Sequence, residues 1–237
     1  MEDLIAPLAA APGRSALVFD VDGTLAPIAP RPELATVPDA TREELRRLTK
    51  RYLLVACVSG RSGEDAGRLV GVDGIEVVGN HGLELDPRAG EFAARIARFR
   101  EEVRLPVEDK RLSLTYHYRD AEDEAAARAQ LEEVAARARA AGLDPRWGRK
   151  VLEVRPPVEA HKGTAVRALL ERSGAGLGLY AGDDATDLDA FEGLAAAGLE
   201  HAVRVAVASD EGPEELRAAA DLVVESPGEL AGLLHRL

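Results

Sequence analysis

The chain has 237 residues, of which 46% are hydrophobic and 30% charged, a composition typical of a folded protein and not of a disordered or membrane-embedded chain. Its 30 basic and 42 acidic residues give a net charge of −12, so nucleic acid and anionic lipid are unfavourable partners. The single cysteine, Cys57, excludes an intrachain disulfide and a cysteine-cluster metal site. Residues 1–4 are acidic where a secretion signal is basic, and no apolar run approaches about 18 residues, so we expect a cytoplasmic protein.

Both ends of the chain alternate short apolar runs with helical patterns, which predicts β–α units around a parallel sheet. The predicted strands are 16–19, 53–58, 75–78, 177–181 and 203–207, with an edge strand at 222–224. The predicted helices are 41–50, 63–70, 162–172, 187–197 and 213–220. Thr41 followed by Glu44 has the pattern of a capping box, so we expect the first of these helices to be capped by Thr41.

The middle of the chain has a different pattern. Residues 91–103 and 122–140 have helical character, whereas 113–118 and 151–155 alternate apolar and polar residues. Such alternation favours an antiparallel sheet with one polar face. We therefore predict an α+β subdomain at residues 85–157, inserted into an α/β core that consists of residues 1–84 and 158–237.

Two aspartates follow the first predicted strand. Asp20 and Asp22 belong to the sequence DVDGTL at 20–25, at the carboxyl end of the strand, where parallel sheets hold their ligands. Two carboxylates this close raise each other's pKa unless a cation lies between them, which indicates a hard metal such as Mg²⁺. The alternative is an Asx turn that ends the strand.

Two further segments carry groups that suit an anion. Ser59, Gly60 and Arg61 follow the second predicted strand and offer a hydroxyl and backbone N–H groups, although a simple turn has the same pattern. Lys162 opens a predicted helix, where a cation is unfavourable unless an anion lies nearby. A phosphate or carboxylate partner for Lys162 is therefore more consistent with the pattern than solvent.

Three more carboxylates follow the strand predicted at 177–181. Asp183, Asp184 and Asp187 belong to the sequence GDDATD at 182–187. They are candidate metal ligands, and the alternative is a solvated loop in which Asp187 caps the next helix.

The order of these four segments resembles that of the haloacid dehalogenase (HAD) superfamily of phosphohydrolases. Further segments are similar to the trehalose-6-phosphate phosphatase family over roughly residues 15–210: NHG at 80–82, EDK at 108–110, SLTYHYR at 113–119, KVLEVRP at 150–156 and GDDATDLDAF at 182–191. Val21 and Leu188 depart from the usual family pattern, but neither change removes a carboxylate or amine of the chemistry that the family performs.

The resemblance implies a HAD-like Rossmannoid core with a parallel sheet, and an inserted α+β cap of the C2B type that closes over it. It implies that the chain is a phosphatase that hydrolyses trehalose 6-phosphate with Mg²⁺, in trehalose biosynthesis. Asp20 would be the nucleophile that forms an aspartyl-phosphate, Asp22 the general acid and base, and Lys162 a ligand of phosphoryl oxygens. The implied metal site consists of Asp20, Asp22 through its carbonyl, Asp183, Asp184 and Asp187. The implied substrate-binding residues are Thr24, Ser59, Gly60, Arg61, Asn80, His81, Glu108, Lys110, Arg119 and Glu153.

Other interpretations stay open at this point. Asn80 and His81 also fit a left-handed turn, and Glu108 with Lys110 also fits an exposed ion pair. The closest alternative is a hydrolase of the same architecture that acts on a sucrose, mannosylglycerate or glucosylglycerate phosphate. A phosphosugar mutase with the same core fits less well, because it releases no phosphate to water. A phosphosugar-binding regulator is the non-enzymatic alternative, but a binder needs no paired nucleophile and acid. We expect a monomer whose partner is a small phosphosugar.

Overall fold

The structure, a computed structural model, describes residues 2–119, 121–148, 150–208 and 212–237. The chain separates into two compact units, one formed by Met1–Gly82 with Ala160–Leu237 and the other by Leu83–Glu159. The second unit extends two residues beyond the predicted insertion, 85–157, at each end. Its role as a cap stays a prediction.

The strands and helices alternate in the first unit and cluster in the second. In chain order the strands are β1 (Ser15–Phe19), β2 (Leu54–Val58), β3 (Glu76–Val78), β4 (Glu108–Asp109), β5 (Leu114–His117), β6 (Asp144–Gly148), β7 (Val151–Arg155), β8 (Leu177–Gly182), β9 (His201–Val207) and β10 (Leu222–Val224). The helices are α1 (Glu2–Ala10), α2 (Asp39–Leu48), α3 (Gly63–Val70), α4 (Pro87–Glu91), α5 (Ala93–Val103), α6 (Glu124–Ala140), α7 (Lys162–Ser173), α8 (Thr186–Ala196), α9 (Glu214–Ala219) and α10 (Pro227–His235). Within the described ranges, none of these helices has the length and apolar composition needed to cross a bilayer.

The first unit is built on a parallel sheet with the strand order β10-β9-β8-β1-β2-β3. Every residue of β1 and β8 is buried, as expected for strands that are covered on both faces. The register places Phe19 of β1 beside Cys57 of β2 and beside Ala181 of β8. The carboxyl ends of these three strands therefore meet at one edge of the sheet, and the loops that follow them are neighbours.

The predicted α/β class is confirmed, and each predicted core strand agrees with an observed strand to within two residues. Two core helices, α1 and α10, are absent from the prediction. The sequence does carry a signal for α10, because Ser226 accepts a hydrogen bond from the Glu229 N–H at 3.2 Å and Pro227 occupies the first helical position.

The predicted cap of α2 is wrong. The helix begins at Asp39, with Pro38 at the N-cap position and no capping side chain. Glu44 does not reach back to the helix start, because it accepts a hydrogen bond from Arg47 at 2.8 Å and pairs with His235 at 2.7 Å. A proline beside the first turn is itself a start signal, and here it prevails over the capping-box pattern.

The second unit contains an antiparallel sheet with the strand order β4-β5-β7-β6. Tyr116 of β5 and Leu152 of β7 lie on one face and pack with apolar residues of α5 and α6. Thr115 and Glu153 lie directly opposite each other on the other face. The predicted antiparallel sheet is therefore confirmed, although β6 is absent from the prediction. β6 contains Pro145, which is tolerated because β6 is an edge strand.

Candidate active site

The candidate site lies at the edge of the parallel sheet where β1, β2 and β8 end. Asp20 follows β1, and its N–H donates to the carbonyl of Ala181 in β8 at 2.9 Å. Asp183 follows β8, and Asp20 and Asp183 are only 5% and 4% exposed. These two aspartates are distant in the chain, and they come together because β1 and β8 are neighbouring strands.

Lys162 is the ammonium group of this site. It opens α7 and is 2% exposed. Its Nζ donates to Asp20 Oδ1 at 2.8 Å and to Asp187 Oδ1 at 2.7 Å, and it lies 3.7 Å from Asp184 Oδ1. Burial alone lowers the pKa of Lys162, but the charges of Asp187 and Asp20 outweigh burial and hold that pKa well above its ordinary value. The amine is therefore a fixed positive charge.

The carboxylates of the site outnumber this cation. Burial raises the pKa of Asp20 well above its ordinary value, against the opposing charge of Lys162. Burial, together with the charges of Asp187 and Asp184, raises the pKa of Asp183 to about 7. A cation bound at these carboxylates would offset both the burial and the neighbouring negative charges that raise their pKa values.

Asp20, Asp183 and Asp187 form a candidate metal centre. Each offers one carboxylate oxygen, all three side chains are buried, and these oxygens lie within 4.8 Å of one another. Gly23 makes room for the group, because a Cβ atom at Gly23 would lie 2.1 Å from Asp183 Oδ2. Carboxylate oxygens are the ligands that hard divalent cations prefer, so this donor set fits a divalent metal ion.

Asp187 differs from the other two acids because both of its oxygens accept hydrogen bonds from the protein. Oδ1 accepts from Lys162 Nζ at 2.7 Å and from the Tyr180 hydroxyl at 2.6 Å. Oδ2 accepts from the N–H groups of Asp183 and Asp184 at 2.8 and 2.9 Å. Burial and the charge of Asp187 raise the pKa of Tyr180 well above its ordinary value, so its hydroxyl stays a donor. Asp187 thus shapes the loop that carries Asp183.

Thr24 and Asp184 also make bonds within the site. The Thr24 hydroxyl donates to Asp183 Oδ1 at 3.2 Å, so it supports a carboxylate of the candidate metal centre. Asp184 Oδ1 accepts from the N–H and the hydroxyl of Thr186 at 2.8 and 2.6 Å. Burial raises the pKa of Asp184, but the charge of Lys162 and the bonds from Thr186 outweigh burial and lower it overall. Asp184 is therefore ionised.

Asp22, the predicted acid and base, is bonded to Arg61. The Nε–Oδ2 and Nη2–Oδ1 distances are both 2.7 Å, and Nη2 also donates to the carbonyl of Pro32 at 3.0 Å. Paired hydrogen bonds of this kind fix the orientation of a carboxylate. Arg61 is predicted to bind the substrate, whereas in the structure its guanidinium binds Asp22.

The loops after β2 and β3 are tied together. The Asn80 N–H donates to the Arg61 carbonyl at 2.7 Å, and the His81 N–H donates to the Ser59 carbonyl at 2.9 Å. Asn80 and His81 have φ values of 53° and 52°, a left-handed conformation that costs non-glycine residues about 1–3 kcal/mol each. A Cβ atom at Gly60 would lie 2.6 Å from His81 Nε2, so the glycine admits the imidazole ring. The structure therefore brings together five predicted residues: Ser59, Gly60, Arg61, Asn80 and His81.

The other predicted substrate-binding residues lie in the second unit. Glu108 of β4 and Glu153 of β7 share one face of the antiparallel sheet, with one residue of β5 between them. Glu108 Oε2 is bonded to His117 Nε2 at 2.8 Å, and Lys110 Nζ lies 3.9 Å from Glu108 Oε1. Arg119 is exposed in the turn after β5. One cluster is therefore formed by Glu108, Lys110 and His117. Arg119 lies outside the strands of the sheet.

Tyr180 and His117 take part in these arrangements, but neither is among the predicted site residues. The sequence carries a signal for Tyr180, because a tyrosine inside a strand covered on both faces must place its hydroxyl against a buried polar partner. The signal for His117 is its alternation with Thr115, which places both side chains on one face of β5.

Comparison with known proteins gives one family. Residues 18–98 and 99–226 match the family model described as trehalose-phosphatase. A trehalose-phosphate phosphatase of Mycolicibacterium paratuberculosis is 35% identical over 94% of this chain, which covers 61% of that protein. An uncharacterized glycosyl hydrolase of Mycobacterium tuberculosis is also 35% identical over 94% of this chain, which covers 18% of that protein. The chain therefore spans less than two thirds of the length of these curated relatives.

Solved structures agree with this result. A crystal structure of a trehalose-6-phosphate phosphatase related protein is 27% identical and has a TM-score of 0.74, with 93% of this chain and 95% of that chain covered. A haloacid dehalogenase-like hydrolase from Bacteroides thetaiotaomicron is 16% identical, has a TM-score of 0.64 and covers 94% of this chain and 98% of its own, which shows the HAD fold alone. Because the family model matches nearly the whole length of the chain, the chain belongs to the trehalose-phosphatase family.

Proposed function

We propose that this chain hydrolyses trehalose 6-phosphate to trehalose and inorganic phosphate, in trehalose biosynthesis, with Mg²⁺ as its metal ion. The observation that carries the proposal is the buried group formed by Asp20, Lys162 and Asp183 at the edge of the parallel sheet. Phosphoryl transfer through an aspartate requires three groups around one point: a nucleophilic carboxylate, a protonated amine and an acid that can bind a metal ion.

Asp20 is the proposed nucleophile. One of its oxygens attacks phosphorus, the bond from phosphorus to the sugar oxygen breaks, and an aspartyl-phosphate forms. Lys162 Nζ, which lies 2.8 Å from Asp20 Oδ1, stabilises the negative charge of a phosphoryl group held at Asp20. The Ser59 hydroxyl is the proposed further donor to a phosphoryl oxygen, and the Thr24 hydroxyl can take that role only by giving up its hydrogen bond to Asp183 Oδ1.

Asp22 is the proposed general acid and then the general base. It gives a proton to the departing sugar oxygen and takes one from the water whose oxygen attacks phosphorus and releases Asp20. Arg61 binds one lone pair of each Asp22 oxygen, so a second lone pair stays available for the proton while the carboxylate is held in one orientation. Arg61 is therefore a proposed positioning residue for the proton transfer.

Asp20, Asp183 and the backbone carbonyl of Asp22 are the proposed holders of Mg²⁺, which when bound adds positive charge next to the phosphoryl oxygens. Such local charge is needed because the net charge of −12 repels a phosphate dianion. Asp184 and Asp187 support this group: Asp187 holds Lys162 and the loop of Asp183, and Asp184 adds negative charge beside Lys162.

The proposed sugar-binding residues are Asn80, His81, Glu108, Lys110, Arg119 and Glu153. Their amide, imidazole, carboxylate and cationic groups suit the alternating donors and acceptors of sugar hydroxyls. The expectations of a monomer and of a cytoplasmic location stay predictions.

The direct test is release of inorganic phosphate from trehalose 6-phosphate by the purified chain, with Mg²⁺ and with a chelator in its place. Asp20→Asn is expected to lower turnover by at least about a thousandfold while calorimetry still detects substrate binding. Asp39→Asn, at an aspartate whose side chain is 93% exposed, is the matched control and is expected to keep full activity. Full phosphate release by Asp20→Asn would refute the nucleophile, and no release by the wild-type chain would refute the proposal.

The identity of the sugar needs a separate measurement. The same phosphate assay with sucrose, mannosylglycerate and glucosylglycerate phosphates compares the related substrates on one scale. We expect the highest kcat/KM for trehalose 6-phosphate. A mutase would isomerise its substrate without release of phosphate, and a regulator would bind the ester and leave it intact.

A further inference from the structure

Tyr180 is a buried polar residue that the proposed reaction does not use. It lies in β8, is completely buried, and its ring packs edge-on against Phe191 at a centroid distance of 6.1 Å. Its hydroxyl donates to Asp187 Oδ1 at 2.6 Å. A hydroxyl placed this deep needs a polar partner, and this one is bonded to a carboxylate of the candidate active site.

The bond from Tyr180 is the first link of a buried chain. Asp187 Oδ1, the oxygen that accepts from Tyr180, also accepts from Lys162 Nζ at 2.7 Å. Lys162 Nζ in turn donates to Asp20 Oδ1 at 2.8 Å. All four residues are at most 5% exposed, so solvent does not compete for these bonds. Three hydrogen bonds therefore connect the Tyr180 hydroxyl to the proposed nucleophile.

We propose that Tyr180 is a positioning residue for phosphoryl transfer, which fixes the carboxylate oxygen that aims Lys162 at Asp20. This inference rests on the proposed function. A short hydrogen bond from a hydroxyl to a carboxylate is among the stronger ones in proteins, so it holds Asp187 Oδ1 in one orientation. It also takes up one of the two lone pairs of Oδ1 and leaves the other for Lys162.

Loss of the hydroxyl changes how Asp187 and Asp20 share Lys162. Without Tyr180 as donor, Lys162 Nζ is the remaining hydrogen-bond donor to Asp187 Oδ1 among the contacts described above. The electrostatic attraction between the ammonium of Lys162 and the carboxylate of Asp187 is strong in a buried site. The ammonium then shifts toward Asp187 and away from Asp20 and the phosphoryl oxygens. The N–H groups of Asp183 and Asp184 bond to the other oxygen, Oδ2, so the loop of the candidate metal ligand keeps its support.

The test is Tyr180→Phe, which removes the hydroxyl and keeps the ring against Phe191. We expect kcat to fall about tenfold, the usual scale for loss of a group that orients a reacting side chain, with KM and the half-saturating Mg²⁺ concentration within about twofold of wild type. A purely structural role would lower the unfolding midpoint without this separation of kcat from KM. Wild-type kcat in folded Tyr180→Phe would overturn the proposal.

Two other buried tyrosines serve as matched controls. The Tyr52 hydroxyl donates to the Leu237 carbonyl at 2.9 Å, away from the candidate site. The Tyr116 hydroxyl is buried and makes no hydrogen bond with the residues that the structure describes. Tyr52→Phe and Tyr116→Phe are expected to keep kcat within about twofold of wild type. An equal fall of kcat in Tyr52→Phe would overturn the assignment, because it would show a general effect of buried hydroxyl loss.

Replacement of Tyr180 by p-aminophenylalanine restores a hydrogen-bond donor at the same ring position. We expect kcat about threefold below wild type, between the values of wild type and Tyr180→Phe. If Tyr180→Phe does not fold, this variant still decides, because the weaker donor must lower kcat and an unchanged kcat would overturn the proposal.

A small aryl phosphate separates this inference from the proposed function. Tyr180 acts through Asp187 and Lys162 on the phosphoryl step and not on the sugar, so its substitution must lower kcat for the aryl ester as well. If the wild-type chain hydrolyses only the aryl ester, the sugar assignment fails and the aryl ester carries the test of Tyr180. If the wild-type chain hydrolyses neither ester, both the proposed function and the role of Tyr180 are overturned.

Discussion

The guanidinium of Arg61 binds both carboxylate oxygens of Asp22 at 2.7 Å. Arg61 and Asp22 follow β2 and β1, which are neighbouring parallel strands, so the pair forms directly across the edge of the sheet. The Arg61 carbonyl also accepts from the Asn80 N–H, which links the same residue to the loop after β3. Arg61 is therefore placed to orient the proposed acid and base, a different role from the phosphate binding that its sequence context suggests.

We predict that Arg61→Lys lowers kcat for trehalose 6-phosphate by about 10- to 100-fold, because a lysine cannot hold both oxygens of Asp22 and small displacements of a reacting group are costly. Inhibition by inorganic phosphate should stay unchanged, since the guanidinium does not hold the phosphoryl group. Arg31→Lys, at an arginine whose side chain is 73% exposed, is the control. An unchanged kcat with weaker phosphate inhibition would return Arg61 to the substrate.

The positions of Asp20, Asp183 and Lys162 could be predicted from the sequence because each follows or precedes a strongly patterned element. An apolar strand fixes where its carboxyl end falls, and parallel strands bring those ends to one edge. The partners of these residues could not be predicted in the same way. Whether Arg61 reaches a phosphate or Asp22 depends on side-chain directions at the ends of two strands, which composition and spacing do not contain.

The start of α2 and the strand β6 depart from the prediction for similar physical reasons. Thr41 and Pro38 are both helix-start signals, one as a capping side chain and the other as a proline beside the first turn. Only the packed structure decides that Pro38 lies at the N-cap. β6 lacks the usual strand pattern because it contains Pro145 and ends at Gly148, and it forms by pairing with β7. Tertiary pairing thus decides where local signals are weak or compete.

We predict that Glu153→Ala separates sugar recognition from phosphoryl transfer. Glu153 is half-buried, and its Oε1 is buried and makes no hydrogen bond with the residues that the structure describes. A buried carboxylate oxygen needs a polar partner, and a bound sugar hydroxyl is the donor that we expect to supply it. Loss of a hydrogen bond to a charged group costs about 1.5–3 kcal/mol, which corresponds to a fall of about 10- to 100-fold in kcat/KM for trehalose 6-phosphate.

The control substrate for this variant is a small aryl phosphate, whose kcat/KM is expected to change less than about twofold. Glu132→Ala, at an exposed carboxylate on α6 in the same unit, is the control variant and should leave both substrates unaffected. Equal losses on the sugar ester and the aryl ester would remove Glu153 from sugar recognition.

Close packing of α7 against α8 supports Lys162. A Cβ atom at Gly193 of α8 would lie 2.2 Å from the carbonyl oxygen of Gly163, the residue that follows Lys162. We predict that Gly193→Ala forces the helices apart, lowers the free energy of unfolding by about 1–3 kcal/mol and reduces kcat. Chemical denaturation and steady-state kinetics measure the two effects.

The matched substitution is Gly67→Ala in α3, where an added Cβ atom meets nothing within 4 Å. It should raise the free energy of unfolding by about 0.4–1 kcal/mol, because alanine restricts the unfolded chain, and should leave kcat unchanged. If Gly193→Ala is as stable as Gly67→Ala, the contact between α7 and α8 does not constrain the site.

The acidic cluster predicts how stability depends on pH in the metal-free protein. Burial raises the pKa of Asp183 from 3.8 to about 7, and burial also raises that of Asp20. Between pH 3.8 and about 7 the folded state keeps the Asp183 proton that the unfolded chain has released, so the unfolded state binds fewer protons. The free energy of unfolding contributed by this group therefore falls as the pH rises from about 4 to about 7.

Mg²⁺ should reverse that trend because it binds the ionised carboxylates and competes with the proton. We predict that saturating Mg²⁺ raises the thermal unfolding midpoint more at pH 8 than at pH 5, measured against the metal-free protein at each pH. Asp183→Asn removes the titrating carboxylate and a ligand together, so the increase due to Mg²⁺ should shrink at pH 8 and lose most of its pH dependence. An equal effect of Mg²⁺ at both pH values in the unaltered chain would show that Asp183 does not hold the metal ion.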